Sequence, residues 1–172
     1  MKKIAIIVGS LRNESLNLKL ANLLKDKLIN FEVEVIRLNN IPLFNEDIEF
    51  PAPNEVSKLR YKVNESNALI FITPEYNHSY SGVLKNTIDW LSRSISDDEE
   101  SVLNNKLIAL AGVSYGMSGS NSAQDDLVQL LSWNNAKLMN KPRLAINGSN
   151  LPIEKNIKYI EEFINSIELF IK

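Results

Sequence analysis

The segment IAIIVGSLRNESLN, residues 4–17, joins an apolar run to a polar turn that opens a leucine-rich pattern. Five consecutive apolar residues, Ile4 to Val8, are typical of a strand that helices cover on both faces of a parallel sheet. Leucines at 16, 20, 23, 24 and 28 then recur at helical spacing. The segment therefore predicts the first strand and the first helix of an α/β sheet.

The same alternation of apolar runs and helical patterns continues along the chain. Five strands are predicted, at Lys3–Val8, Glu32–Leu38, Ala68–Thr73, Leu107–Val113 and Arg143–Ile146. Five helices are predicted, at Leu16–Leu28, Glu55–Ser66, Gly82–Arg93, Ser122–Met139 and along an isoleucine stripe from Ile153 to Ile171. Alternating strands and helices predict a doubly wound α/β sheet with helices on both faces, in one domain of residues 1–172.

Two further segments are interpreted as loops. The acidic run Asp97–Glu100 is predicted to be a solvated loop before the fourth strand. The segment Asn39–Asn54 contains three prolines and is predicted to be long and irregular. A loop of that length inside a compact domain is often functional.

The composition excludes several classes of protein. The 172 residues carry a net charge of −2 with 44% apolar and 23% charged residues, which is typical of a globular domain and unlike a nucleic-acid binder. The absence of cysteine excludes disulfides and thiolate chemistry, and with His78 as the single histidine no metal cage is expected. The apolar run after Lys2 and Lys3 is too short for a secretory signal, so we expect a cytoplasmic protein without a membrane segment.

Three polar, turn-rich segments follow predicted strands. They are GSLRNESLN at 9–17, TPEYNHSYSG at 73–82 and GVSYGMSGSNS at 112–122. In open α/β sheets, ligands bind outside the carboxyl ends of the strands, where the winding reverses. The three segments are therefore the candidate ligand site.

The first of these segments is rich in donors suited to an anion. Backbone N–H groups at the start of a helix favour an anion, and Ser10, Arg12, Ser15 and Asn17 add side-chain donors matched to phosphate oxygens. The segment is neither a Walker A loop nor a GxGxxG turn. The alternative stays open that Ser15 only caps the helix and that Arg12 is a surface residue.

The second segment is suited to a planar ligand. Pro74 restricts the backbone, and the polar and aromatic residues Glu75, Tyr76 and Asn77 follow it. Such a loop can present backbone N–H and C=O groups to the edge of a planar heterocycle. An ordinary strand-to-helix turn would not require this combination of residues.

Taken together, GSLRNESLN, PLFNED at 42–47 and PEYNHSYSGVLKNTIDWLSR at 74–93 resemble the NADPH-dependent FMN reductase family. This family includes azoreductase- and quinone-reductase-type enzymes, and the resemblance covers nearly the whole chain. It implies a flavodoxin-like fold with five parallel strands in the order 2-1-3-4-5. It also implies non-covalent FMN, NADPH or NADH as co-substrate, and a small-molecule acceptor such as a quinone, an azo dye or free flavin, in a ping-pong reaction. The first segment has donors for one terminal phosphate, and the sequence has no motif for binding an adenosine. We therefore expect FMN and not FAD.

By position, the resemblance assigns the FMN phosphate to the first segment and the isoalloxazine and ribityl chain to the other two. The implied cofactor-binding residues are Ser10, Arg12, Ser15, Leu16, Asn17, Pro74, Glu75, Tyr76, Asn77, Ser114, Tyr115 and Gly116. No catalytic side chain is assigned, because in hydride transfer to a flavin the protein supplies orientation and electrostatics. His78 is not expected to act as a general acid, and Glu75 could equally cap its own turn.

Two positions depart from the pattern of the family. Ser81 stands where many relatives carry proline before the glycine, and Asn121 stands where many carry a basic residue near the start of the fourth helix. The first change is expected to matter little. The second leaves the preference between NADPH and NADH open.

The resemblance implies a homodimer, with a homotetramer left open. Leu43, Phe44 and Phe50 of the long loop are candidate contacts, because apolar loop residues often mark an interface. Two other functions remain: a flavodoxin-type FMN electron carrier reduced by a partner, and a non-catalytic module that keeps the fold. Carriers of that type are usually more acidic than a net charge of −2, because charge guides their docking.

Overall fold

In the computed structural model, which describes residues 1–94 and 100–172, six parallel strands form one sheet. The strands are β1 (Lys3–Val8), β2 (Glu32–Arg37), β3 (Ala68–Ile72), β4 (Leu107–Val113), β5 (Lys137–Leu138) and β6 (Leu144–Ile146). The helices are α1 (Leu16–Lys27), α2 (Asn54–Glu65), α3 (Gly82–Leu91), α4 (Asn121–Trp133) and α5 (Ile157–Phe170). The strand order is β2-β1-β3-β4-β5, and β6 also pairs with β4, so the predicted flavodoxin-like order is confirmed.

Alternate residues of the central strands face two separate apolar layers. In β1, Ile4, Ile6 and Val8 pack with α1 and α5, whereas Ala5 and Ile7 pack with α2, α3 and α4. Both faces of the sheet are therefore buried, which explains why β1, β3 and β4 are nearly continuous apolar runs. The winding reverses between β1 and β3, since β2 lies on one side of β1 and β3 on the other.

The fourth helix is shorter than the predicted Ser122–Met139, because Lys137–Leu138 form a strand. The helix ends at Trp133, where Asn134 and Asn135 turn the chain and Asn135 adopts a left-handed φ of 56°. Asparagine tolerates this conformation better than most residues and commonly ends a helix in this way. The short strand β5 then pairs with Leu107 and Ile108 of β4.

The predicted fifth strand, Arg143–Ile146, is confirmed as β6, but it shares its position in the sheet with β5. Residues Leu144–Ile146 pair with Ala111–Val113, the carboxyl half of β4, whereas β5 pairs with its amino half. Pro142 lies between the two strands and has no N–H to donate to a ladder. One position in the sheet is therefore filled by two short strands.

The isoleucine stripe near the end of the chain is buried except at one residue. Ile153 lies in a one-turn 3₁₀ helix, and α5 begins only at Ile157, which is 39% exposed. The change of helix type shifts the phase of the stripe, and Phe163 is buried in addition to the later isoleucines. Of the acidic run Asp97–Glu100, only Glu100 lies within the described residues.

The long loop after β2 is fixed to α3 along much of its length. The Asn86 amide donates to Pro42 O (2.8 Å) and accepts from the N–H of Phe44 (2.7 Å), and Trp90 Nε1 donates to the same Pro42 oxygen (2.8 Å). The rings of Phe44 and Trp90 meet edge to face at 4.9 Å. We call residues 42–50 the arm; the arm follows β2 and is held by the helix that follows β3.

One finding bears on the membrane. No helix within residues 1–94 and 100–172 is both long and apolar enough to cross a bilayer.

Candidate ligand site at the carboxyl ends of the strands

The loops after β1, β3 and β4 surround a cavity of about 240 Å³. We call them the first, second and third loops. The cavity is lined by Ser10, Arg12, Ser15, Leu16, Asn17, Pro74, Glu75, Tyr76, Val113, Ser114 and Tyr115. The structure thus brings together all the residues assigned to the site in sequence analysis except Asn77 and Gly116, and it adds Val113.

The first loop ends at a capped helix. Ser15 Oγ accepts from the N–H groups of Asn17 (3.1 Å) and Leu18 (3.4 Å), so Ser15 is the N-cap of α1. Its own hydroxyl hydrogen is not used by these bonds and can still donate to a ligand. Ser10 is buried, whereas Arg12 is exposed on the lining of the cavity. The cap and a donor toward a ligand are compatible roles for Ser15.

Asn17 joins the first loop to the third. Its side-chain nitrogen donates to Val113 O (3.0 Å), and its oxygen accepts from Val113 N–H (2.9 Å), with both residues buried. The Asn17 amide therefore binds Val113, the last residue of β4, through one of its two N–H groups and through its oxygen. One N–H is left for the phosphate contact, which stays a prediction.

Ser81 joins the first loop to the second. Ser81 is 2% exposed, and its hydroxyl donates to Gly9 O (2.6 Å), while Gly9 N–H donates to Ile72 O (2.8 Å). Proline at this position could not make the side-chain bond. The departure from the family pattern at Ser81, which was expected to matter little, therefore adds a buried bond between the two loops.

Glu75 joins the second loop to the third. One carboxylate oxygen accepts from Ser118 Oγ (2.5 Å) and the other from Ala123 N–H (3.3 Å), in the first turn of α4. A carboxylate at this end of a helix is favoured by the helix dipole. Glu75 therefore has the structural role that the alternative gave it, but it caps the start of α4 and not its own turn.

The tip of the second loop is a tight turn that faces solvent. Tyr76 and Ser79 exchange two backbone hydrogen bonds (2.9 and 3.0 Å), with Asn77 and His78 between them at φ of 51° and 62°. Two central residues of positive φ define a type I′ turn. The side chain of His78 is 87% exposed and does not line the cavity, and its Nδ1 lies 3.7 Å from Glu75 Oε1.

A second cavity of about 680 Å³ lies along the outside of α4. Its lining includes Tyr80, Asp126 and Trp133, and Trp133 is 89% exposed. Burial raises the pKa of Tyr80. The lining of this second cavity includes no helix N-terminus and no cationic side chain. The cavity between the three loops is smaller, but it is the better site for an anionic ligand.

Comparison with known proteins agrees with this assignment of the fold. The family model described as NADPH-dependent FMN reductase matches residues 2–150. A 2-hydroxy-1,4-benzoquinone reductase of a Burkholderia species is 31% identical, over 99% of this chain and 96% of that protein. An NAD(P)H-dependent FMN reductase of Pseudomonas aeruginosa is 32% identical, over 99% of this chain and 95% of that protein. Among solved structures, the flavoenzyme NAD(P)H:(acceptor) oxidoreductase FerB of Paracoccus denitrificans is 32% identical with a TM-score of 0.86, over 99% of this chain and 97% of that one.

The Asn17–Val113 contact predicts a large effect on stability. Asn17→Ala should lower the free energy of unfolding by about 2–3 kcal/mol, because two hydrogen bonds are lost and the Val113 peptide groups stay buried. Urea denaturation followed by circular dichroism measures the change. The matched control is Asn22→Ala, an exposed position of the same helix, which should change stability by less than about 0.5 kcal/mol. Equal effects of the two substitutions would contradict the role given to Asn17.

Proposed function

The chain belongs to the NADPH-dependent FMN reductase family, and on that premise we propose that it is an FMN-dependent oxidoreductase that transfers electrons from NADH or NADPH to a quinone or a similar small acceptor. The observation that carries the proposal is the convergence of anion-binding and apolar groups on one cavity. Ser10, Ser15 and Arg12 line it at the start of α1, and Tyr76 and Tyr115 line it from the other loops. The match to reductases over nearly the whole chain supports the same conclusion.

The residues of the cavity fit FMN by their chemistry. Two buried hydroxyls, the start of α1 and the Arg12 guanidinium would hold the phosphate. Within residues 1–94 and 100–172, the Arg12 guanidinium has no carboxylate partner, so its charge is available to an anion. Pro74 and the backbone of the second loop would border the ring, with Ser114 and Tyr115 across the cavity.

Bound FMN supplies the hydride and electron transfer chemistry. The chain orients the cofactor, and the buried cross-loop bonds of Asn17, Ser81 and Glu75 keep the three loops in one arrangement. Preorganised groups of this kind lower the cost of orienting the reactants. Tyr76 and Tyr115 are 51% and 69% exposed, so this side of the site is open. We propose that the nicotinamide and the acceptor use the opening in turn, because the sequence has no dinucleotide-binding fingerprint that would provide a separate nicotinamide site.

The proposal predicts a coloured protein that NADH or NADPH bleaches. Mass spectrometry of the released cofactor should identify FMN, and anaerobic addition of either nicotinamide should remove the visible flavin absorbance. Addition of a benzoquinone should restore it, and steady-state kinetics with varied quinone should give the parallel lines of a ping-pong reaction. Azo dyes and free flavin, tested in parallel, define the range of acceptors. Stoichiometric FAD, or no bleaching by either nicotinamide, would contradict the proposal and favour FAD chemistry or an electron carrier.

Phosphate recognition by the first loop predicts that Arg12→Ala weakens FMN binding selectively. A hydrogen bond to a charged group contributes about 1.5–3 kcal/mol, so the affinity for FMN should fall roughly ten- to a hundredfold. Riboflavin lacks the phosphate and should lose much less affinity. Flavin fluorescence quenching measures both constants, and Ser15→Ala should give a smaller loss in the same direction. If FMN and riboflavin weaken equally, the loop shapes the cavity without binding the phosphate.

We further propose a homodimer that covers the carboxyl edge of the sheet. Large apolar side chains are exposed in the loops after β2 and β4, where Leu43 is 82%, Phe50 60% and Met117 97% exposed. Phe44 packs on Trp90 of α3 and so fixes the arm to that helix, and its role as a dimer contact stays a prediction. The homotetramer, the cytoplasmic location and the single domain stay predictions.

The arm should contribute to that dimer. Leu43→Glu should shift the sedimentation profile at micromolar concentration toward monomer, because a charge replaces an apolar contact. The matched control is Leu169→Glu on α5, because Leu169 is an exposed leucine (66%) outside the arm. A parent protein that sediments only as a monomer, or a dimer that tolerates Leu43→Glu as well as Leu169→Glu, would contradict this part of the proposal.

A further inference from the structure

Arg37, which lies outside the three loops, binds the backbone of the first loop. Arg37 is the last residue of β2, in register with Val8 at the end of β1. Its Nη2 donates to Leu11 O (2.9 Å) and, less closely, to Arg12 O (3.4 Å). The first loop is therefore attached to the neighbouring strand through two consecutive carbonyl groups.

Among the described residues, the first loop provides the only hydrogen-bond acceptors of the Arg37 side chain. Its Nε is buried and has no hydrogen-bond partner among the described residues, and no carboxylate within residues 1–94 and 100–172 forms an ion pair with it. A buried donor without an acceptor destabilises a folded protein. The two carbonyl contacts are thus the main interaction that this side chain makes, and their effect falls on the first loop.

Fixing two carbonyl groups also fixes two N–H groups. In a trans peptide the C=O and the following N–H point in opposite directions within one plane. Because the oxygens of Leu11 and Arg12 face Arg37, the N–H groups of Arg12 and Asn13 are turned away from it. The same contacts determine where the Arg12 side chain leaves the backbone.

We propose that Arg37 is a positioning residue for phosphate recognition, which holds the backbone of residues 11–13 and thereby places the Arg12 side chain. The inference rests on the proposed binding of FMN phosphate by the first loop. Arg37 need not touch the cofactor itself. It keeps the loop in the conformation in which Arg12 binds.

The test is a double-mutant cycle on flavin affinity. Flavin-free parent, Arg37→Met, Arg12→Ala and the double variant are titrated with FMN and with riboflavin by fluorescence quenching. Arg37→Met should weaken FMN binding roughly 3- to 10-fold and riboflavin binding by less than about twofold, because Arg37 acts on the phosphate end only indirectly, through the position of the first loop. The double variant should bind FMN within about twofold of Arg12→Ala, because Arg37 acts through Arg12.

Two further variants distinguish the positioning of the loop from a general effect of positive charge and from a failure to fold. Lys25→Met removes one positive charge from the far end of α1 and should leave FMN affinity within about twofold of the parent. Arg37→Lys keeps the charge without the planar fork, and it should also weaken FMN selectively. It carries the same test if Arg37→Met does not fold.

Each outcome decides between the inference and the proposed function. A parent that binds no FMN contradicts the proposed function itself. If Arg12→Ala weakens FMN while Arg37→Met does not, only the inference on Arg37 is contradicted. Additive losses in the double variant, equal losses for FMN and riboflavin, or an Arg37→Lys variant equal to the parent would each contradict positioning through Arg12.

Discussion

The site depends on the pair of hydrogen bonds between the Asn17 side chain and the backbone of Val113. Parallel strands bring their carboxyl ends to one edge, but the loops that follow them are separate pieces of chain. Asn17 lies in the first turn of α1 and Val113 ends β4, so one buried amide sets the distance between the first and third loops across the edge. Buried polar groups that are fully paired hold a unique geometry, whereas a lost partner leaves the other groups costly to bury.

Ser81 and Glu75 extend this connection to the second loop. Ser81 binds the backbone of Gly9, and Glu75 binds the first turn of α4, so each loop is bonded to both of the others. The side chains that remain available at the cavity are hydroxyls and an arginine at one end and tyrosines at the other. Asn17, Ser81 and Glu75 thus hold the loops together, and Ser10, Arg12 and Ser15 remain available at the cavity for a ligand. The arm adds a further apolar surface beside this edge, and its position is set by Asn86 and Trp90 of α3.

Much of the fold could be predicted because burial on both faces leaves a strong pattern. β1, β3 and β4 are apolar runs with turns at both ends, and the strand order followed from the family resemblance. β5 was missed because Leu138 and Met139 continue the helical spacing of α4, and a two-residue strand has no pattern of its own. The sequence signal for the earlier end of the helix is the pair Asn134 and Asn135, because asparagine commonly ends a helix in a left-handed turn.

The lining of the cavity was largely predictable, but the use of each side chain was not. Which loop a residue belongs to follows from the sequence, whereas the partner of Glu75 or Asn17 lies 48 or 96 residues away along the chain. Such pairings depend on the relative placement of three loops. Arg37 was missed for the same reason, because it belongs to a strand and not to any of the three polar segments.

The central claim is that the first loop holds the phosphate of FMN while the second and third loops border its ring. A crystal structure of the FMN complex tests this most directly. The account predicts phosphate oxygens against Ser10, Arg12 and Ser15, with the ring beside Pro74–Tyr76 and Ser114–Tyr115. A flavin bound along α4 between Tyr80 and Trp133, or a phosphate turned away from the first loop, would contradict it.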